Sequence, residues 1–291
     1  MTVATQPSVT QDRPTLAEID VCGLTHPGLV RATNADHYLV ASFHRTMRVH
    51  ATSLGEGLGP QETQNRGFLL LVADGVGGAA GAGEGAARAV TTVAHHLLHD
   101  TEICSQVVVD RRDEAINHLR QALMRAHQTL IEATKSGESE HRATTLTMFA
   151  AFWPYAFVLH VGDSRAYRLR DGVLERLTTD QTVAQMMVDA GAMSADAAER
   201  SHLKHVLWSA VGSAELVPEV VVTDLTRRGV VLLCTDGLTK HVTDAEIASY
   251  MSRRASTQST CKALIDLALS RGGTDNVTVV MARTRQPDDA G

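Results

Sequence analysis

The segment from Phe68 to Ala73 is apolar at every position and stops abruptly at Asp74 and Gly75. A strand with one solvated face alternates apolar and polar residues, so an uninterrupted apolar run predicts a strand that is buried on both faces. The rest of the chain must therefore place a layer of structure on each side of the sheet that contains this strand.

The length fits one domain with a substantial core. The chain has 291 residues, of which 44% are hydrophobic and 21% are charged. At roughly 150 residues per domain, this length allows one large or two small domains, and no linker or internal repeat divides it. We predict one folded domain over residues 19–284, preceded by a flexible tail at residues 1–18 and followed by a short tail at residues 285–291.

Charge and cysteine spacing exclude several classes of protein. Lys and Arg number 27 against 33 Asp and Glu, and no basic block occurs, so nucleic acid is not expected as a partner. The apolar stretches are far shorter than the ~20 residues that span a bilayer, and no secretory signal is visible. The cysteines form no C-x-x-C pair, which indicates a reduced, cytoplasmic chain without a thiolate zinc site. We also expect a monomer without membrane contact. The cysteines are Cys22, Cys104, Cys234 and Cys261.

The order of the predicted elements favours antiparallel sheets. Two strands come first, followed by a stretch from Arg45 to Arg66 that we interpret as a long surface loop. After the Phe68–Ala73 strand come two amphipathic helices and then a run of strands, which includes a hairpin turning at Asp171-Gly172. Helix starts are predicted at Ser194 and at a capping box that opens with Thr243. This order is typical of an α+β fold rather than of repeated β-α-β units.

Acidic residues stand at the ends of the apolar strands. Asp74, Asp163 and Asp236 each follow a strand, and Asp275 immediately precedes one. A carboxylate beside a buried strand is costly unless it is paired or binds a cation, so several of them indicate a shared counter-charge. Oxygen ligands select hard cations such as Mg²⁺ or Mn²⁺, and the glycine after the aspartate in Asp74-Gly75 and in Asp236-Gly237 lets a backbone oxygen approach the same ion. Each Asp-Gly pair alone is typical of a turn, but together they predict a carboxylate cage for one or two ions.

The glycine-rich segment after Asp74 allows a second interpretation. Residues 74–80 fit a loose G-x-G-x-x-A phosphate loop between a strand and a helix, with Asp100 at the spacing of a ribose ligand. Against dinucleotide binding, Asp74 would lie against the pyrophosphate, and no repeated β-α-β pattern follows to build a parallel sheet. We therefore rank this alternative below the carboxylate cage.

Six short motifs follow one another along the chain. They are Arg31-Ala32-Thr33-Asn34-Ala35-Asp36, Asp74-Gly75-Val76-Gly77-Gly78, Ala143-Thr144-Thr145, Val161-Gly162-Asp163-Ser164-Arg165, Cys234-Thr235-Asp236-Gly237-Leu238 and Gly273-Thr274-Asp275-Asn276-Val277-Thr278. Their order resembles the bacterial form of the metal-dependent serine/threonine phosphatases of the protein phosphatase 2C type, the PPM family, over about residues 19–284. The resemblance implies a four-layer αββα sandwich, in which two antiparallel β-sheets are flanked by helix pairs.

The resemblance also implies a centre for two Mn²⁺ or Mg²⁺ ions. Asp74 would bridge both ions. Asp36 and the carbonyl of Gly75 would serve one ion, and Asp236 and Asp275 would serve the other. A hydroxide bridging the two metals would then hydrolyse phosphoserine and phosphothreonine without a covalent intermediate.

Arg31 would hold the substrate phosphate, since a guanidinium group donates two parallel hydrogen bonds to phosphate oxygens. We interpret Asn276 as a supporting or turn residue rather than a ligand. The expected partners are phosphorylated proteins, among them a serine/threonine kinase or its substrates.

The chain departs from the family pattern at several positions. Ala35 replaces the usual acidic or amide residue, and Ala143 replaces a glycine. Val76 stands where animal relatives have a histidine that is proposed to protonate the leaving serine oxygen. Bacterial members of the family often have an aspartate just before the Thr-Thr pair that contributes to a third metal site. The nearest acidic residue here is Glu140, so binding of a third ion is left open. Ala35 and the missing upstream aspartate motivate an alternative, a pseudophosphatase or phosphoprotein-binding regulatory module on the same fold. The presence of Asp36, Asp74, Asp236 and Asp275 argues against it.

Other residues have secondary roles in this hypothesis. His37, His160 and His205 are candidate proton donors, although a structural role is more typical of each. Residues 179–207 match the position of the family's flap beside the active site. We interpret Asp163 as structural, because an aspartate at a strand end commonly accepts hydrogen bonds from loop amides.

Overall fold

The computed structural model describes residues 14–15, 18–43, 47–53, 67–77, 81–99, 112–136, 143–227 and 229–284. Most of the predicted N-terminal tail and the whole C-terminal tail lie outside the described residues. The same holds for Gly78, Asp100, Cys104 and Glu140, which the sequence interpretations used.

The strands form two antiparallel sheets. The first has the order β1 (Ile19–His26), β12 (Val277–Thr284), β11 (Val230–Cys234), β8 (Arg165–Arg170) and β9 (Val173–Arg176). The second has the order β10 (Glu219–Asp224), β7 (Tyr155–Val161), β6 (Leu146–Phe152), β4 (Gly67–Val76), β2 (Asp36–Phe43) and β3 (Met47–Thr52), with β5 (Ala143–Thr144) paired to the end of β4. Neighbouring strands run antiparallel throughout, which contradicts the dinucleotide-binding alternative, because that fold requires a parallel sheet.

Helices cover the outer face of each sheet. The helices α1 (Ala82–His99) and α2 (Arg112–Lys135) pack on the second sheet, and α6 (Asp244–Met251) and α7 (Thr257–Ser270) pack on the first. Two short helices, α3 (Val183–Asp189) and α4 (Ala195–Arg200), lie between β9 and β10, and α5 (Asp236–Thr239) directly follows β11. Within the described ranges, the helices are too short or too polar to cross a membrane.

Alternate residues of β4 contact different layers, which explains the uninterrupted apolar run. Leu69 and Leu71 belong to the core under α1 and α2, whereas Leu70 and Val72 belong to the core between the two sheets. Each of these side chains is at most 1% exposed and contributes about 1.5–3 kcal/mol on burial. The predicted α+β class and four-layer αββα sandwich are confirmed.

Most local predictions are confirmed and one is wrong. At the predicted hairpin turn, Asp171 and Gly172 have φ values of 51° and 79°. Ser194 caps α4, and Thr243 opens the predicted capping box at the start of α6. The stretch from Arg45 to Arg66 is not all loop, because it contains β3, which pairs with β2. This strand lies at the sheet edge and is held by backbone hydrogen bonds on one side, so its sequence lacks the pattern of a buried strand.

Candidate metal centre

The four predicted carboxylate ligands come together at one edge of the sandwich. Asp36 is the first residue of β2 and lies opposite Asp74 of β4 in the antiparallel register. Asp236 begins α5 directly after β11, and Asp275 stands just before β12, which is the neighbour of β11 in the sheet. Asp74, Asp236 and Asp275 line a cleft of about 580 Å³, whereas Asp36 is only 1% exposed.

Two threonines fix the backbone that carries Asp74. The carbonyl of Asp74 accepts hydrogen bonds from the amide of Thr145 and the hydroxyl of Thr144, each at 2.8 Å. The hydroxyl of Thr145 in turn accepts the amide hydrogen of Asp74 at 2.9 Å. Gly75, the next residue, pairs with Thr144 through β5 and lines the cleft. The Ala-Thr-Thr motif therefore acts as a clamp on the strand end that presents the carboxylate.

Asp36 is held by two hydroxyl groups and keeps one oxygen without a partner. Its Oδ2 accepts hydrogen bonds from Thr235 at 2.8 Å and from Thr278 at 2.7 Å. Its Oδ1 is buried and has no hydrogen-bond partner. Burial raises the pKa of Asp36 to about 7, against the two threonine hydrogen bonds, and the charges of Asp236 and Asp275 add to the increase. A bound cation would satisfy the free oxygen and favour the ionised carboxylate.

The pKa values of Asp74 and Asp163 are also raised well above the ordinary aspartate value. Burial is the main cause for both, and for Asp74 the nearby charges of Asp36 and Asp236 contribute. Asp163 lines the same cleft as Asp74, although its sequence neighbours have structural contacts. Ser164, for example, shares a 2.8 Å hydrogen bond with Thr145. Repulsion among buried carboxylates makes this region a place where positive charge is strongly stabilised.

Two basic side chains contact the carboxylates on the other side of the cleft. The Nζ atom of Lys240 lies 2.6 Å from Asp236 Oδ2 and 2.7 Å from Asp275 Oδ2. Arg31 donates from Nε to Asp275 Oδ1 at 2.8 Å and from Nη2 to Asp275 Oδ2 at 3.0 Å. Burial acts to raise the pKa of Asp275, but these contacts outweigh it and hold that pKa below its ordinary value. The sequence patterns did not single out Lys240, whose only signal is its position one helical turn after Asp236.

Asn276 organises the segment that carries Arg31. Its side-chain oxygen accepts the amide hydrogen of Ala35 at 2.8 Å. Its side-chain nitrogen donates to the carbonyls of Pro27 at 2.8 Å and Thr33 at 2.9 Å. The amide group thus ties the start of β12 to the segment before β2 and places Arg31 over the cleft.

The three candidate histidines lie in different environments. His205 lines the cleft, and burial together with the charge of Lys240 lowers its pKa. His37 shares a 2.7 Å hydrogen bond with Ser53, and burial lowers its pKa. His160 is fully buried in the second sheet. Of these three, His205 alone lines the cleft.

The predicted flap region borders the cleft. Residues 179–207 contain α3 and α4, and Val206 and Leu207 at the end of this segment line the cleft beside His205. Met186 on α3 is 47% exposed, which leaves its side chain free to contact another molecule. The position of the segment is therefore compatible with contact to a substrate that enters the cleft.

The donors in the cleft fit a hard divalent cation. The side-chain donors are carboxylate oxygens, and two of them, Asp36 Oδ1 and Asp236 Oδ1, are buried without a hydrogen-bond partner. Such atoms are costly to bury unless they bind a cation or a proton. Among the described residues, no group of three His, Cys, Asp or Glu side chains is arranged to hold an ion as it stands. Lys240 and Arg31 contact two of the carboxylates instead.

The fold and the cleft together define a four-layer sandwich protein with an acidic, oxygen-rich site suited to divalent cations. Residues 58–268 match the family model described as Protein phosphatase 2C. The chain therefore belongs to the protein phosphatase 2C family.

Named relatives agree with this assignment. The chain is 34% identical over 214 residues to the serine/threonine protein phosphatase PstP of Mycobacterium tuberculosis, an alignment that covers 74% of this chain and 40% of that protein. The crystal structure of the M. tuberculosis phosphatase PstP/Ppp matches with a TM-score of 0.73 at 26% identity, covering 92% of this chain and 99% of that structure. The catalytic domain of a PstP in complex with two manganese ions matches with a TM-score of 0.70 at 28% identity, with coverage of 92% and 99%. The chain thus spans about 40% of the length of the curated M. tuberculosis relative.

Proposed function

We propose that this protein is a Mn²⁺- or Mg²⁺-dependent phosphatase that hydrolyses phosphoserine and phosphothreonine in proteins. The observation that carries the proposal is that Asp74, Asp236 and Asp275 line one cleft of a protein phosphatase 2C fold, with Asp36 buried opposite Asp74. The naming of a relative as a serine/threonine phosphatase, and of a structural neighbour as a complex with two manganese ions, supports the reaction and the metal.

Four carboxylates and one carbonyl would hold the ions. Asp36 and the carbonyl of Gly75 would serve one ion, Asp236 and Asp275 the other, and Asp74 both. When bound, two divalent ions supply a water molecule of lowered pKa and screen the negative charge of the phosphoryl group. The buried, unpartnered oxygens of Asp36 and Asp236 support this assignment.

Arg31 is the proposed phosphate anchor. Its side chain is 47% exposed and uses its Nε and Nη2 atoms on Asp275. A guanidinium group has five N–H donors, so further donors stay available for phosphoryl oxygens. Asp275 holds the planar group in place, and a bidentate contact of this kind orients a phosphate as well as attracting it.

The serine or threonine oxygen that leaves the phosphate must receive a proton. His205 lines the cleft, but burial and Lys240 lower its pKa, so its imidazole is neutral at pH 7 and poorly suited to donate. Val76 also lines the cleft and offers no proton. We therefore assign proton donation to solvent water in the open cleft.

The proposed substrates are phosphorylated proteins, among them a serine/threonine kinase or the targets of one, and the proposed location is the cytoplasm. The alternative is a pseudophosphatase that binds phosphoproteins without hydrolysis. One observation favours it, because Lys240 forms ion pairs with both Asp236 and Asp275, two of the proposed metal ligands.

Hydrolysis of a phosphothreonine peptide by the purified protein separates these two functions. The phosphatase proposal predicts phosphate release in millimolar Mn²⁺ and none after chelation with EDTA. Peptide binding without phosphate release, at Mn²⁺ concentrations that saturate the protein in calorimetry, would support the binding module. A phosphotyrosine peptide of the same sequence tests whether the enzyme is restricted to serine and threonine.

A further inference from the structure

Lys240 places its ammonium group between two carboxylates that are proposed to bind one ion. Its Nζ contacts Asp236 Oδ2 at 2.6 Å and Asp275 Oδ2 at 2.7 Å. The three side chains are between 17% and 23% exposed, so the contacts are largely shielded from water. The backbone of Lys240 is fixed beside the site through α5, since the Lys240 amide donates to the Asp236 carbonyl at 2.8 Å.

We infer that Lys240 is a tethered cation that occupies the second metal position in the metal-free protein and must leave it before the second ion binds. This inference rests on the proposed function, because it takes Asp236 and Asp275 as metal ligands. It goes beyond that function in assigning Lys240 a role in how tightly the metal is held.

The distances make simultaneous occupancy unfavourable. A divalent ion bound to the same two oxygens lies about 2.0–2.6 Å from each of them. Nζ already lies 2.6 and 2.7 Å from these oxygens. The ion would therefore either overlap the ammonium group or lie close to it on the opposite side of the same two oxygens. Two cations at such a separation repel strongly in a partly shielded site. Binding of the ion therefore displaces the lysine.

The negative charge of the cleft explains why a tethered cation stabilises the metal-free protein. Asp74, Asp163, Asp236 and Asp275 line the cleft, and the basic side chains that line it are Lys240, His205 and Arg31. Repulsion among the carboxylates opposes folding when no ion is bound. A lysine held at the centre of this charge lowers the repulsion and stabilises the metal-free protein.

A neighbouring cleft gives the displaced side chain a place to go. Lys240 lines both the metal cleft and an adjoining polar cleft of about 400 Å³. The adjoining cleft also contains the acidic residues Asp180, Glu199 and Asp244, which form ion pairs there with Arg165, Arg176 and Lys204. The flexible four-carbon stem of a lysine allows rotation from the metal cleft into this adjoining space.

Substitution of Lys240 tests the inference through metal affinity and through the stability of the metal-free protein. In Lys240→Met, the weaker of the two Mn²⁺ sites should bind about tenfold more tightly in calorimetry, equivalent to about 1.4 kcal/mol. The melting temperature of the metal-free variant should fall by about 2–4 °C. Lys240→Arg, which keeps the charge, should resemble the wild type in both measurements. Lys240→Gln serves as a second neutral variant if the methionine variant does not fold.

Lys262→Met is the matched control. Lys262 forms an ion pair with Asp266 at 2.6 Å, also four residues apart on a helix, but it is 69% exposed and lies outside the cleft. Its loss should change neither Mn²⁺ affinity nor the Mn²⁺-induced rise in melting temperature. A similar affinity gain in Lys262→Met would mean that overall charge, not the position of Lys240, determines metal binding, and would overturn the inference.

The other outcomes separate the inference from the proposed function. Unchanged Mn²⁺ affinity in Lys240→Met, with Mn²⁺-dependent turnover intact, would overturn the inference and leave the proposed function standing. Unchanged affinity with a raised KM for phosphopeptide would overturn it in favour of Lys240 as a phosphate ligand. If neither the wild type nor the neutral variants bound Mn²⁺, the proposed function itself would fail.

Discussion

Thr235 donates its hydroxyl hydrogen to Asp36 Oδ2 at 2.8 Å, although 199 positions separate the two residues in the sequence. Thr278 donates to the same oxygen at 2.7 Å from the adjacent strand β12. These two hydroxyls leave the second oxygen of Asp36 as the atom available to a cation. The orientation of Asp36, the most deeply buried of the proposed ligands, is thus set by residues of the first sheet, while Asp36 itself belongs to the second.

Removal of one of these hydroxyls should weaken metal binding. Thr235→Val keeps the shape of the side chain but leaves Asp36 Oδ2 with one hydrogen bond, so we expect Mn²⁺ affinity to fall about 10-fold or more in calorimetry. Thr235→Ser restores the hydroxyl and should bind as the wild type does. Equal affinities in the valine and wild-type proteins would show that the hydroxyl does not orient the ligand.

Replacement of Asp74 should separate activity from stability. In Asp74→Asn, Mn²⁺-dependent turnover should fall by about a thousandfold, since a ligand to both ions is lost. The melting temperature of the metal-free protein at pH 8 should stay the same or rise, because burial and neighbouring carboxylates penalise the charged form of Asp74. Asp266→Asn is the control, because Asp266 forms an exposed ion pair with Lys262 away from the cleft. This variant should leave turnover unchanged. Retained turnover in Asp74→Asn would contradict the metal assignment.

Arg31 should be sensitive to a change that preserves its charge. Arg31→Lys loses the planar fork that contacts Asp275, so we expect kcat/KM for a phosphopeptide to fall roughly 10- to 100-fold, mainly through KM. Arg271→Lys is a matched control, because Arg271 makes a comparable contact with Glu246 away from the cleft. A loss of similar size in the control would indicate a general effect on stability instead of phosphate binding.

His160 should make the protein sensitive to mild acid. Burial lowers the pKa of His160 to about 4, and its nitrogens share hydrogen bonds with Thr147 at 2.8 Å and the Thr179 carbonyl at 3.0 Å. The unfolded chain binds a proton near pH 6.5, so the contribution of neutral His160 to stability is lost as the pH falls from about 6.5 towards 4.

His160→Gln isolates this effect from other groups that titrate in the same range. The difference in unfolding free energy between the wild type and the variant should shrink by about 2 kcal/mol between pH 7 and pH 5 in the presence of EDTA. Denaturant titrations at both pH values provide the measurement. A difference that stays constant across this range would show that the histidine titrates normally.

The sequence predicted those residues of the candidate site whose position is encoded locally. The apolar run that ends at Asp74 and the one that ends near Asp236 mark strand ends, and strand ends of one sandwich can converge. Asp36 and Arg31 have no such local signal, and only the resemblance to a family pointed to them. Their placement depends on Asn276, which holds the intervening segment through contacts that no local pattern encodes.

Several features could not be foreseen because they depend on packing between distant segments. Lys240 reaches the candidate site partly through its hydrogen bond to Asp275, which is 35 residues away in the sequence. Gly237 is required because a Cβ atom there would lie 1.8 Å from the carbonyl oxygen of Asn276, so only glycine allows α5 to pack this closely against the start of β12. The β3 strand was missed for a different reason, because it lies at the sheet edge and its sequence lacks the pattern of a buried strand.

Anomalous diffraction from crystals soaked in Mn²⁺ is the most direct test of the proposed metal centre. We predict two manganese peaks in the cleft, both in contact with Asp74, one also with Asp36 and the other with Asp236 and Asp275. Lys240 should then have left the two carboxylates that it contacts in the metal-free protein. Manganese peaks elsewhere on the molecule, with none among these carboxylates, would contradict the proposed centre and the reaction derived from it.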